Sequence, residues 1–266
     1  MPAISIGERR IAYDEFGSGD PIVWLQGTGE SKHGWAAQIA GLSERWRCIT
    51  SDHRDVGESS YVDEPYTPAD LASDAAMLMD ALGTGPAHVV GYSLGGATAQ
   101  ELALARPDLV RSLVLLSTWA ATDGWFAAQM RNWQSIRRAH WDDEAGFLEA
   151  LGPWLWSPAT YATPGFVEGL HKAIEAEHPR QRPDGWIRQC EADIAHDAGA
   201  RLGAIVARAL VIVGADDVCT PPRYARELCA LIPGAELAVI DDAGHGGLVE
   251  KPAAVNAAIA DFLSRV

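Results

Sequence analysis

Val89-Val90-Gly91-Tyr92-Ser93-Leu94-Gly95-Gly96 is the stretch on which the fold turns. An apolar run ends in Gly-x-Ser-x-Gly and passes into a helix-forming segment, Ala97 to Ala105. A strand that turns directly into a helix strains the serine backbone and lifts its hydroxyl out of the sheet. Small residues two before and two after the serine let neighbouring backbone approach without a Cβ clash. The helix aims its free N–H groups and the positive end of its dipole at the serine. Ser93 is therefore predicted as a nucleophile, and the Leu94 N–H as one donor of an oxyanion hole. The bland alternative is a Gly-rich turn with a bystander serine, so the rest of the chain has to supply a base and an acid.

A serine hydroxyl is a poor nucleophile at neutral pH and needs an adjacent base. An imidazole suits that task, and a carboxylate on its other nitrogen fixes the tautomer. Val211-Ile212-Val213-Gly214-Ala215-Asp216-Asp217 is a second apolar run that ends in acids. Leu237-Ala238-Val239-Ile240 leads into Asp241-Asp242-Ala243-Gly244-His245. Functional groups of parallel α/β sheets collect beyond the carboxyl ends of strands. Ser93, the acidic pair and His245 each sit just past such an end, in the order Ser, Asp, His. Asp216 and Asp217 are adjacent, and spacing alone leaves the acid open between them.

With Ile22 to Gly29, Ser51 to Ser59 and Gly214-Ala215-Asp216-Asp217 ahead of Thr220-Pro221, these motifs resemble the α/β-hydrolase fold family over nearly the whole chain. The resemblance implies that the acid is Asp217, three residues after Gly214, with Asp216 as a solvated loop carboxylate or turn cap. It also implies that the second oxyanion donor is the Thr28 N–H. Two positions depart from the family pattern. Gln26 stands where a loop-organising His is usual, and Asp55 stands where Gly is common. The run Asp52-His53-Arg54-Asp55 is similar to one in methylesterases of anthracycline biosynthesis, and enol-lactone hydrolases share the general layout. Read by itself, the run is a loop ion pair of Arg54 with Asp52 or Asp55.

Eight apolar strands alternate with helices along the chain. They are expected at Ala3 to Ile6, Arg9 to Phe16, Ile22 to Leu25, Trp46 to Ser51, Ala87 to Tyr92, Leu109 to Leu116, Ala209 to Val213 and Glu236 to Ile240. The first two form a hairpin around Gly7-Glu8. Helices are expected over Trp35 to Leu42, Thr67 to Leu82 and Ala253 to Leu263. In the second, Leu71, Ala75, Leu78, Met79 and Leu82 fall at helical spacing behind a Thr67-Pro68 cap. This alternation predicts an α/β fold, a mostly parallel eight-stranded sheet with helices on both faces.

The rhythm breaks after the sixth strand. Residues 118–200 hold no buried strand, several Pro and Gly punctuations, and helical segments such as Phe126 to Arg138 and Phe166 to Glu177. They are expected to form a helical cap over a core of residues 1–117 and 201–266, making the substrate pocket and excluding water. Seven of the ten tryptophans fall in this segment: Trp119, Trp125, Trp133, Trp141, Trp154, Trp156 and Trp186. Large aromatics either fill a thin cap or line a pocket. Gln26, Trp125 and Trp154 are predicted to line it.

Lys+Arg 21 against Asp+Glu 36 gives a net charge of −15, which argues against nucleic acid and anionic membrane surfaces as partners. The four cysteines, Cys48, Cys190, Cys219 and Cys229, lack metal-type spacing, as do the histidines, so neither a metal nor a cofactor is expected. His33 is expected on a surface loop. With no signal-type apolar segment and no run of membrane-spanning length, a cytoplasmic protein is expected. A small molecule is the expected partner, and a homodimer stays open beside a monomer.

The expected function is hydrolysis of an ester or lactone of a small apolar or aromatic molecule, through an acyl-enzyme on Ser93. A C–C bond hydrolase, or a cofactor-free enzyme of specialised metabolism, would use the same triad. No basic cluster is evident near Ser93, which disfavours dienoate acids. A non-catalytic receptor on this fold is opposed by the complete triad.

Overall fold

A computed structural model describes residues 2–7, 9–176 and 179–266. The core elements before the insertion are β1 (Ala3–Ile6), β2 (Arg9–Phe16), β3 (Pro21–Leu25), α1 (Ala36–Leu42), β4 (Arg47–Ser51), α2 (Pro68–Leu82), β5 (Ala87–Tyr92), α3 (Leu94–Ala105) and β6 (Val110–Leu116). Five helices follow: α4 (Gly124–Ala139), α5 (Glu144–Leu155), α6 (Pro158–Tyr161), α7 (Phe166–Glu175) and α8 (Pro183–Ala195). The chain then re-enters the sheet as β7 (Arg208–Gly214), α9 (Pro222–Leu231), β8 (Glu236–Ile240), α10 (Gly247–Glu250) and α11 (Pro252–Leu263).

The sheet has eight strands in the order β1-β2-β4-β3-β5-β6-β7-β8. The β1–β2 and β2–β4 pairs are antiparallel and the rest are parallel. Side chains alternate across the pleat. Ile22, Trp24, Val90, Val114 and Ile212 pack on α1 and α11 through Ile39, Leu42, Val255, Ile259 and Phe262. Val23, Leu25, Val89, Leu113 and Val211 pack on the opposite layer through Leu78, Met79, Leu102 and Leu228. Both faces are covered, which is why the central strands are apolar throughout.

Helix starts follow local chemistry. Thr67 caps α2: its hydroxyl accepts from Asp70 N–H, and Asp70 in turn accepts from Thr67 N–H. The insertion is more helical than its punctuation implies. Pro158 and Pro183 open α6 and α8, where a missing N–H costs nothing. Pro153 sits in the last turn of α5 and does not end it. Of the expected hairpin Glu8, and of the expected 166–177 helix Glu177, lie outside the described residues, as does His178. Among the described residues no helix is long and apolar enough to cross a membrane.

The elbow after β5 is crowded. A Cβ on Gly91 would lie 2.2 Å from the Gly95 carbonyl oxygen, and one on Gly95 would lie 2.1 Å from that of Leu25. Gly95→Ala therefore pushes α3 away from the end of β3. The expected loss is about 1–3 kcal/mol of stability, the range for overpacking a dense interior. It would be read as a lower urea midpoint at unchanged slope.

Candidate active site

Ser93 stands between β5 and α3 with φ 51° and ψ −117°, a conformation L residues rarely adopt. Its N–H donates to Leu116 O, and its carbonyl accepts from the Thr118 hydroxyl, so the end of β6 and the residues just after it hold the strained turn. Ser93 Oγ is 3.2 Å from His245 Nε2, and His245 Nδ1 is 3.0 Å from Asp217 Oδ2. Since a carboxylate only accepts, Nδ1 carries the proton and Nε2 is left to accept from the serine.

Asp217 is buried and Asp216 is exposed, and it is Asp217 that meets the imidazole. Asp217 Oδ1 accepts from the N–H groups of Cys219 and Thr220, and Oδ2 also accepts from the Thr220 hydroxyl. This Asx-type turn, Asp217 to Thr220, fixes the carboxylate before any ligand arrives. Burial alone would lower the His245 pKa, but the hydrogen-bonded Asp217 carboxylate raises it, and the net direction is upward. Burial pushes the Cys219 thiol up, which keeps it neutral at neutral pH and leaves Asp217 as the charge facing the ring. The Tyr92 ring packs 5.1 Å from that of His245.

Thr28 and Ser93 line one cavity of about 220 Å³. Neither the Thr28 N–H nor the Leu94 N–H finds an acceptor among the described residues. Behind the loop, the His53 Nε2–H donates to the Gln26 carbonyl at 3.2 Å. Burial lowers the His53 pKa to about 4, so this ring is neutral.

The cavity wall comes mostly from the insertion: Trp133, Phe147, Leu151, Leu155, Trp156 and Trp186. Trp186 lies against Gly29, where a Cβ would sit 2.0 Å from its ring, and Trp156 lies against Gly246 at 2.3 Å. Residues flanking Thr28 and His245 are thus small because tryptophans pack onto them.

Three predicted pocket residues do not line the cavity. Gln26 is fully buried beneath the loop, with neither side-chain polar atom partnered among the described residues. Trp125 is 45% exposed and covered on one face by Arg223, because α4 turns the Phe126, Met130 and Trp133 stripe inward instead. Trp154 packs partly buried against the insertion core, one residue out of phase with Leu151 and Leu155. No basic cluster near Ser93 was expected, yet two arginines reach the cavity. Arg137 and Arg180 line the wall, with Arg137 paired to Glu144 at 2.9 Å. Nor does Arg54 pair with its loop neighbours. It binds Asp74, while Asp55 reaches Arg188 of α8 at 2.7 Å. His33 is exposed, as expected. Among the described residues no group of three or more His, Cys, Asp or Glu is arranged to hold a metal ion.

Sequence reading missed Asp193 and Gln189, which join α8 to the Thr28 loop. The Thr28 hydroxyl donates to Asp193 Oδ2 at 2.7 Å, and Gly29 N–H donates to Gln189 Oε1 at 2.8 Å. Their i, i+4 spacing on one helix was the available signal, but nothing local says which loop it faces.

Comparison with known proteins agrees with this architecture. The model of the alpha/beta hydrolase fold family matches residues 20–252. A relative from Mycobacterium tuberculosis, provisionally named a non-heme bromoperoxidase (BpoC), is 34% identical, with 96% of this chain and 98% of that protein covered. A thermophilic esterase from Thermogutta terrifontis superposes with TM-score 0.86 at 28% identity, covering 98% of this chain and 96% of that one. The enol-lactonase from Burkholderia xenovorans LB400 gives TM-score 0.85 at 28% identity, covering 99% and 100%. With its sheet order, its serine elbow and its helical insertion after the sixth strand, the chain belongs to the α/β-hydrolase fold family and is a hydrolase.

Proposed function

We propose that the protein hydrolyses a carboxylic ester or lactone of a small apolar or aromatic molecule through an acyl-enzyme on Ser93. The observation that carries this reading is the continuous chain Ser93 Oγ, His245, Asp217, opening into an apolar cavity. Ser93 attacks the substrate carbonyl while His245 Nε2 takes the hydroxyl proton. The oxyanion is held by the Thr28 and Leu94 N–H groups, an arrangement typically worth about 3–4 kcal/mol per donor. His245 then protonates the leaving group, and a water activated by the same imidazole releases the acid. Asp217 orients the ring and stabilises its cation. Residues 118–200 act as a cap on a core of residues 1–117 and 201–266, and a small molecule is the proposed partner.

An esterase and an enol-lactonase of the same fold, similar over nearly their full length, support an acyl-transfer substrate. One observation favours a second reading. Arg180 on the wall donates to the Glu175 carbonyl and has no acidic partner among the described residues. It would suit a substrate that also carries a carboxylate, including a dienoate cleaved at a C–C bond on the same triad.

A panel of p-nitrophenyl esters and aromatic or aliphatic lactones tests the reading. Turnover with a chain-length optimum is expected. Trp133→Ala, which removes a wall ring away from the triad, should shift relative kcat/KM towards longer acyl chains by about tenfold, the scale of one or two methylenes in an apolar pocket. Turnover of dienoate or β-diketone substrates alone would favour the second reading.

A further inference from the structure

The structure assigns Asp193 and Gln189 of α8 as positioning residues that hold the oxyanion loop from above, an inference that rests on the proposed acyl-transfer chemistry. Trp186, Gln189 and Asp193 follow one another at helical spacing and form one stripe of α8 facing the core. Each engages the Gly27-Thr28-Gly29 turn or its edge. Trp186 covers Gly29 and lines the cavity. Gln189 Oε1 accepts from the Gly29 N–H, and also from Gln181 Nε2 at 2.9 Å. Asp193 Oδ2 accepts from the Thr28 hydroxyl.

With Gly29 N–H drawn towards α8, the preceding amide, that of Thr28, is the one left to a ligand. The helix itself is anchored beside Gln189 and at Asp193. Arg188 meets Asp55, and the Asp193 carbonyl accepts from the Thr122 hydroxyl at 2.7 Å.

Stability does not explain Asp193. It is 2% exposed, and its Oδ1 has no partner among the described residues. A buried carboxyl with a single hydroxyl donor is costly compared with an apolar residue of similar size. Burial, eased by Thr28 and His245, raises its pKa to about 7. Such a cost is retained where the group determines geometry, and the geometry here is the aim of one amide. A misplacement of about 1 Å at such a donor can cost on the order of 100-fold in rate.

The test compares wild type, Asp193→Ala, Asp193→Asn and Gln189→Met in ester hydrolysis and in inactivation by a fluorophosphonate, whose phosphoryl oxygen occupies the same hole. Asp193→Ala is expected to lower kcat by about 10- to 100-fold. KM should move far less, and inactivation should slow in parallel with kcat. Asp193→Asn keeps an acceptor for the Thr28 hydroxyl and should return to within about threefold of wild type, the scale of a weakened hydrogen bond. Gln189→Met keeps volume, removes the acceptor for Gly29, and carries the same test if Asp193→Ala does not fold. Unchanged kcat and inactivation rates, a loss confined to KM, or an equal loss in Asp193→Asn would overturn the assignment. A wild-type protein that the fluorophosphonate never modifies would overturn the serine reading, and this one with it.

Discussion

Ser93→Ala is expected to lower kcat by at least about 10,000-fold while leaving the fold intact. The magnitude follows from losing the covalent route, as in serine enzymes whose residual rate comes from the oxyanion hole and binding alone. The strained φ of 51° belongs to the elbow, not to the hydroxyl, so alanine inherits the backbone conformation and its two anchors at Leu116 O and Thr118 Oγ1. Ester turnover and the urea midpoint, measured on the same preparation, separate the two effects. Activity within about tenfold of wild type would mean that the carbonyl is attacked by something other than Ser93.

Asp217→Asn should be the next most damaging change, with kcat down by about 10,000-fold if the amide forces the wrong imidazole tautomer. It also carries a signature in pH. His245 must be neutral to act as a base, so activity falls as pH drops through its pKa. Burial lowers that pKa, and the Asp217 carboxylate raises it beyond what burial takes away. Removing the Asp217 charge leaves burial less opposed, so the acid limb of kcat/KM against pH moves to lower pH. Asp216→Asn, altering an exposed neighbour, should move neither the rate nor the limb. A limb that stays in place in Asp217→Asn would contradict the assignment of Asp217.

Local chemistry made much of this legible. The β5–Ser93–α3 elbow could be read because its glycines answer contacts within a few residues and with the end of β3. Continuous apolar strands and the Thr67 capping box declared themselves for the same reason. The choice between Asp216 and Asp217 rested on resemblance. The turn that decides it, Asp217 accepting from Cys219 and Thr220, was present in the spacing but went unread.

The pocket was the weaker part. Whether a tryptophan lines a cavity depends on helix phase against a partner helix, and Trp125 and Trp154 each lie off the inward stripe of their helix. Gln26 was misplaced because a loop residue beside an oxyanion donor can point down as easily as up. Arg137 and Asp193 are charged residues on amphipathic helices, where solvent is the default expectation. Contacts such as those with Glu144 and Phe147 for Arg137, and with Thr28 for Asp193, hold them inside instead. The path of Asp55 to α8 is of the same kind, a pairing across more than a hundred residues that no local pattern announces.

The most direct measurement is the intact mass, and then the peptide map, of the protein after brief exposure to a fluorophosphonate. One adduct per chain, on the peptide that contains Ser93 and absent in His245→Ala over the same interval, is the predicted result. No adduct on the folded protein, or an adduct on another residue with Ser93 unmodified, would contradict the account.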